Sequence, residues 1–260
     1  MNILDTIIVQ KRTEVEERKR QIPLEKITAS LFYNRTCFSI SDALSQNTAS
    51  GIIAEHKRMS PSKGVINDQL NVLEVVKGYQ EAGASAISIL TDQSFFGGSD
   101  QDLLSCRDTI SIPLLRKDFI IDEYQVHEAK SIGADLILLI AACLSPLEVR
   151  YLSQLAISLG MEVLLELHDK EEFDHLCDEV HLVGINNRSL KTFDVDIERS
   201  LRMAEQLPRE KIKVAESGID NPSQVKLFKE NGYKGFLIGE NFMKTSNPGD
   251  ALKLFINDIK

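Results

Sequence analysis

Tryptophan is missing from this chain of 260 residues, and aromatic side chains make up only 6% of it. Indole emission from the protein itself is thereby excluded. Cysteine is scarce too: Cys37, Cys106, Cys143 and Cys177 are scattered, with no CxxC and no Cys/His spacing of a metal site. That argues against a disulfide framework or a zinc module, and the expectation is buried free thiols in a reducing cytoplasm with no metal. Basic charge is outnumbered, with 30 Lys and Arg against 39 Asp and Glu and a net charge of −9. A nucleic-acid footprint needs a basic face, so no nucleic-acid partner is expected. A few local cations can still gather a small anion. No apolar run reaches membrane-spanning length, and Met1-Asn2-Ile3-Leu4-Asp5 lacks a basic stretch before a long apolar core. No membrane partner and no signal peptide are expected, and the expected location is cytoplasmic.

What the chain does have is a repeating beat of short apolar runs and amphipathic stretches. Candidate strands are Ile52–Lys57, Ala86–Thr91, Pro113–Lys117, Asp135–Ile140, Glu162–Leu167, His181–Asn186, Ile212–Glu216 and Gly235–Gly239. Most are rich in Ile, Val and Leu without strict alternation, as strands covered on both faces should be. Helical segments are expected over Val72–Ala82, Asp122–Ile132, Pro146–Leu159 and Pro222–Glu230, with Gly83, Gly133, Gly160 and Gly232 at or near their ends. Eight β-then-α units in a right-handed parallel series close into an α/β barrel, the (β/α)8 TIM-barrel class.

Residues 1–48 stand outside that series, as an N-terminal helical extension to a barrel over 49–260, all in one domain. Helices are expected over Ile3–Arg20, Leu24–Phe32 and Ile40–Gln46, able to cap one barrel end. The charged run Lys11 to Arg20 reads as a solvated helix face with i,i+4 pairs such as Glu14–Arg18.

Barrel function gathers at the C-terminal strand ends. Those ends carry Glu55 and Lys57, Thr91-Asp92, Lys117-Asp118-Phe119, Glu166, Asn186-Asn187-Arg188, Glu216-Ser217-Gly218 and Gly239-Glu240. Glu55 and Lys57 are two apart and share a strand face with Ile53. Alone they are equally well one structural ion pair; the recurrence of such residues on strand after strand favours an active site. Alternating amines and carboxylates in one ring suit multi-step acid–base chemistry without a cofactor. Ser217-Gly218 and Gly239 offer free amides to a phosphate, with Glu240–Lys244 as a short helix and Ser60 and Lys63 closing from the first loop; two tight turns are the plain alternative. The rings of Phe95, Phe96, Phe119 and Phe193 read singly as core and together as a pocket wall. None of the five histidines fits a motif, and His56, of opposite parity to Glu55 and Lys57, should face the helix layer.

The stretch Ala54-Glu55-His56-Lys57-Arg58-Met59-Ser60-Pro61-Ser62-Lys63-Gly64 resembles the signature of the indole-3-glycerol-phosphate synthases. The likeness runs on through Leu115-Arg116-Lys117-Asp118-Phe119, Gly184-Ile185-Asn186-Asn187-Arg188, Ala215-Glu216-Ser217-Gly218 and Leu237-Ile238-Gly239-Glu240. The resemblance implies a monofunctional lyase that closes, decarboxylates and dehydrates a carboxyphenylamino-deoxyribulose 5-phosphate. It also implies roles. Lys117 matches the general acid, Lys57 the lysine on the substrate carboxylate, and Glu55 and Glu166 the carboxylates of the later steps. Asn186, Arg188 and Glu216 match orienting residues. Ser60, Lys63, Ser217, Gly218, Gly239 and Glu240 match phosphate positions, and Phe96, Phe119, Phe193 and Ile238 the aromatic-ring pocket. Glu240 departs from the Ser of some members, and His56 and Met59 from smaller or aliphatic residues. No cofactor is implied. The oligomeric state stays open, with a monomer admitted. A sister isomerase of phosphoribosylanthranilate would need a Cys/Asp acid–base pair, and Cys143 has no such partner by pattern. A non-catalytic phosphate-binding barrel would need the anion loops but not Glu55, Lys57, Lys117 and Glu166 together.

Overall fold

Eight parallel strands close on themselves in this computed structural model, which describes residues 3–189 and 194–259. The chain opens with three helices, α1 (Ile3–Gln21), α2 (Leu24–Thr28) and α3 (Ile40–Ser45), before β1 (Ile52–His56). A small antiparallel hairpin, β2 (Met59–Ser60) and β3 (Gly64–Val65), stands in the first loop and was not foreseen from sequence. Then follow α4 (Val72–Ala82), β4 (Ala86–Leu90), α5 (Gln93–Phe96), α6 (Asp100–Cys106), β5 (Leu114–Lys117), α7 (Glu123–Ser131), β6 (Leu136–Ile140) and α8 (Pro146–Ser158). The second half runs through β7 (Glu162–Leu167), β8 (Leu182–Asn186), α9 (Ile197–Gln206), β9 (Ile212–Glu216), α10 (Pro222–Glu230), β10 (Tyr233–Ile238), α11 (Glu240–Met243) and α12 (Pro248–Ile259). Around the barrel the order is β1-β10-β9-β8-β7-β6-β5-β4, every neighbouring pair parallel.

The expected barrel is therefore present, with one unit altered. After β7 the chain returns through a 3-10 turn, Lys170–His175, in place of an α-helix. Alternation along each strand makes two cores. Ile53, Leu115, Leu136, Leu164, Leu182 and Val214 fill the barrel interior. Their sequence neighbours, such as Ile52, Leu114, Ile137, Val163 and Val183, pack beneath the helices. Each such fully buried aliphatic side chain stabilises the fold by about 1.5–3 kcal/mol. Helix starts are fixed locally: Ser145 and Glu148 form a capping box on α8, and Asn221 and Gln224 another on α10.

The extension does more than cap one end. Ile40 and Leu44 of α3 join the interior core, and Glu162 at the start of β7 accepts from the Ile40 amide (2.8 Å) and the Ser39 hydroxyl (3.0 Å). α3 thus closes the N-terminal end of the barrel. α1 lies at the other end, where Ile3, Leu4 and Ile7 line the mouth of the barrel. Its charged run is not simply solvated. Lys11 is buried, and Arg18 pairs with Asp100 (3.0 Å) and Glu128 (3.3 Å) rather than with Glu14. Of the thiols, all free, only Cys106 is fully buried; Cys37, Cys143 and Cys177 are half-buried. α2 ends at Thr28, short of the expected Phe32.

Candidate active site

The C-terminal strand ends enclose a cavity of about 540 Å³. Every site residue expected from the sequence lines it, apart from Phe193, which lies outside the described residues. The shared parity of Glu55 and Lys57 survives folding: the Lys57 ammonium donates to Glu55 Oε1 at 2.6 Å. Lys117, the last residue of β5, reaches between two carboxylates, 3.4 Å from Glu166 Oε2 and 3.6 Å from Glu216 Oε2. Asn186 at the end of β8 donates to the other oxygen of Glu166 at 3.0 Å. Its own oxygen accepts from the Arg188 amide at 2.9 Å, so one side chain orders both the carboxylate and the following loop.

Burial sets the electrostatics of this ring. It disfavours the ammonium form of Lys117, but Glu166, Glu216 and Glu55 outweigh that and hold its pKa above the ordinary lysine range. Burial likewise works against ionised Glu166, yet Lys117 and then His168 and Asn186 keep it below the usual carboxylate range. Glu216 goes the other way, pushed up to about 8 by burial first and then by the charge of Glu166. Two carboxylates in one buried site cannot both ionise freely, so Glu216 is the one that keeps its proton. The floor of the cavity therefore carries a protonated amine, an ionised acid and a neutral acid within one hydrogen-bonding radius.

Close backbone approach makes room for these acids. A Cβ on Gly184 would lie 2.0 Å from Glu216 Oε1, and one on Gly239 would lie 2.6 Å from Glu55 Oε1. At the other edge of the cavity Ser217 has φ +64°, the left-handed region that a residue with a Cβ occupies at a cost, next to Gly218 at +67°. The expected short helix is there as α11, with Gly239 as its N-cap. Glu240 does not turn away from the neighbouring cation: its Oε1 stands 3.7 Å from the Lys63 ammonium. Phe96 and Phe119 form a tilted pair with centroids 6.0 Å apart, making an aromatic wall. Phe95 faces a separate shallow hollow with Val9 and Gln10. Ile238 packs mainly in the layer between strands and helices and meets the cavity at its rim.

Some residues of consequence were not singled out from sequence. His168, two past Glu166, has Nε2 3.2 Å from Glu166 Oε1. Their i,i+2 spacing is the same signal that linked Glu55 and Lys57. Lys11 bridges Asp92 (2.8 Å) and Asp118 (2.9 Å) just behind the ring, and nothing local in the sequence announces that. Arg116, wholly buried, donates to the Gln125 carbonyl (2.8 Å) and to Asp100 (2.9 Å), bracing the strand that presents Lys117. His56 does lie on the helix side, its pKa lowered to about 4 by burial and then by Arg58. Among the described residues no cluster of three His, Cys, Asp or Glu side chains could hold a metal ion, and no helix is long and apolar enough to cross a membrane.

Comparison with known proteins bears on the fold and on the family. Solved tryptophan synthase alpha subunits share the fold: the one from Legionella pneumophila has a TM-score of 0.63 at 13% identity over 85% of this chain and 96% of its own. A Pyrococcus furiosus tryptophan synthase a2b2 complex gives 0.60 at 15% identity, over 81% of this chain and 97% of the other. At such identities the likeness speaks for the barrel alone. Sequence relatives are much nearer. The indole-3-glycerol phosphate synthase of Bacteroides thetaiotaomicron is 47% identical over 259 residues, 100% of this chain and 99% of its own. That of Polaromonas naphthalenivorans is 42% identical, covering 96% and 97%. Residues 4–255 match the family described as indole-3-glycerol phosphate synthase. The chain belongs to that family.

Proposed function

We infer that this chain is an indole-3-glycerol phosphate synthase, a carboxy-lyase of tryptophan biosynthesis, and that the ring around Lys117 carries its chemistry. The observation that supports the site most directly is the placing of Lys117 Nζ between Glu166 and Glu216, with the Lys57–Glu55 pair in the same cavity. The substrate implied is 1-(2-carboxyphenylamino)-1-deoxyribulose 5-phosphate, and carbon dioxide and water leave as indole-3-glycerol phosphate forms.

Ring closure joins an aromatic carbon to the ketone carbon while the ketone oxygen takes a proton. An ammonium held charged by its neighbours, aimed into an apolar-walled cavity, is suited to give that proton, and Lys117 is so held. Lys57 takes the substrate carboxylate and stays anchored through Glu55. Loss of carbon dioxide returns the bonding electrons to the ring system. The hydroxyl then leaves as water with acid help, and a ring proton goes to a carboxylate. Glu166, kept ionised, is the natural acceptor, while neutral Glu216 and Asn186 hold it and the substrate in place. Glu55 shares the later proton transfers. Each transfer of this kind contributes ~10²–10⁴-fold in rate.

Phe96, Phe119 and Ile238 wall the pocket for the anthranilate ring; Phe193, which the family resemblance adds to that set, lies outside the described residues. The Ser60 hydroxyl, the Lys63 ammonium and the backbone amides at Ser217, Gly218, Gly239 and Glu240 receive the phosphate, the Glu240 carboxylate lying beside Lys63 instead, and Arg188 orients the sugar chain. The isomerase alternative loses ground because the Cys143 thiol is pushed up by burial and then by Glu166 and Glu172, leaving a poor acid–base group.

Purified protein mixed with the carboxyphenylamino sugar phosphate should develop indole fluorescence with stoichiometric release of carbon dioxide. The chain has no tryptophan, so the protein adds no indole emission of its own. Silence at saturating substrate would refute the activity.

A further inference from the structure

His168 follows β7 immediately, and its side chain is buried at the margin of the catalytic ring. Its Nε2 stands 3.2 Å from Glu166 Oε1, and its Nδ1 is 3.9 Å from Glu172 Oε2. Neither ring nitrogen has a well-formed hydrogen bond among the described residues, so two carboxylates are what the imidazole faces. Glu172 also accepts from the His168 amide, which fixes the backbone that carries the ring. The charged neighbours are thus Glu166 on β7, Glu172 on the 3-10 turn and Arg199 on α9, with Cys143 near the same two acids.

From this geometry we propose that His168 is a positioning residue for Glu166: it holds Oε1 in place and, when protonated, supplies the charge that keeps Glu166 ionised as the proton acceptor. The proposal rests on the assignment of Glu166 above. Oε1 accepts from Asn186 and has His168 Nε2 at 3.2 Å, and Oε2 accepts from Lys117, so each oxygen faces a donor or a group that can carry positive charge. The charge ledger agrees. Lys57 offsets Glu55 and Lys117 offsets Glu166, while Glu216 is neutral; an imidazolium leaves the ring net positive for a substrate that bears both a carboxylate and a phosphate. Burial opposes charge on His168, but Glu166 and then Glu172 raise its pKa above the ordinary histidine value.

Two measurements test this. His168→Gln keeps a neutral group of similar reach and removes the charge. Its acid limb in kcat should move up by about one pH unit, with KM within about twofold of the parent. A filler of space alone would leave the limb where it was, and an unmoved limb overturns the proposal. Independently, ring titration of His168 by NMR should show its pKa falling by about one unit in Glu166→Gln. An unchanged titration likewise overturns the pairing, whether or not His168→Gln folds well. Full turnover by Glu166→Gln would overturn the assignment beneath; because the NMR shift needs no turnover, the two failures are told apart.

Discussion

Lys11 Nζ, on a helix outside the barrel, lies 2.9 Å from Asp118, the residue that follows Lys117 at the end of β5. A second carboxylate, Asp92, is 2.8 Å away, and all three side chains are buried. Burial would push Lys11 towards its neutral form, yet Asp118 and Asp92 together raise its pKa instead. Removing one partner of such a cluster leaves charge uncompensated in low dielectric. Lys11→Met should therefore cost about 3 kcal/mol of stability and lower the melting temperature by several degrees. Asp118 keeps Thr91 and Arg116, so the protein should still fold. Adding Asp118→Asn to Lys11→Met should recover part of the loss, which a double-mutant cycle would read out. A Lys11→Met protein that melts with the parent would contradict the idea that α1 is locked to the C-terminal rim of the barrel by this contact.

Lys117→Ala separates chemistry from binding. The end of the cavity proposed to take the phosphate, at Ser217, Gly218 and Gly239, follows β9 and β10 and not β5. Turnover should fall by about 10²–10⁴-fold, while the affinity for a phosphate-bearing product changes little. Single-turnover fluorescence for the first and calorimetry for the second give the two numbers. Near-normal turnover would remove Lys117 from its role as the acid.

The parts of this site that were legible in the sequence share one property: they sit on strands of period two next to apolar neighbours. Glu55 and Lys57 could be paired, and Lys117, Glu166, Asn186 and Glu216 placed on one rim, because strand ends in a barrel converge. What escaped was set by contacts far apart in the chain. Lys11 looks like any charge in a charged run, and beyond its local pair with Glu14 its two aspartate partners, Asp92 and Asp118, come from distant parts of the chain. The 3-10 return at Lys170–His175 has the polar composition of a helix but not the length of one. His168 carried a readable i,i+2 signal, yet it lies one residue past the strand, where parity no longer guarantees direction. The folding of residues 59–65 into a hairpin depends on Arg58, whose carbonyl accepts from the Ile66 and Asn67 amides, rather than on alternation within so short a stretch.

Gly184 should tolerate no side chain. Across the sheet it pairs with Glu166 on one side and Val214 on the other, and Oε1 of Glu216, two residues past Val214, occupies the place a Cβ would take. Gly184→Ala must swing a buried acid out of line with Lys117. Overpacking of this kind costs about 1–3 kcal/mol, and the misplaced acid should lower kcat by about tenfold or more. A crystal structure or steady-state kinetics of the variant would settle it; wild-type kcat would mean that Glu216 need not sit where it does.

Glu216 itself ties stability to pH in the direction opposite to most acids. Its carboxyl keeps a proton in the folded protein up to about pH 8, against an ordinary value of 4.5, chiefly because it is buried and then because Glu166 is ionised beside it. Between those two values the folded state binds more protons at this position than the unfolded state does, so stability falls as pH rises. Above the upper value the contribution is spent, and below the lower one it has no effect. Glu216→Gln removes the ionisation from both states. The variant should therefore be more stable than the parent at pH 7 by about 1–3 kcal/mol, with the gap in melting temperature opening steadily from pH 5 to pH 8. Its turnover should fall at the same time, because Lys117 loses an acid that can share its proton. Parent and variant melting in parallel across that range would show that Glu216 titrates like an exposed carboxylate, and the neutral-acid part of the mechanism would have to be given up.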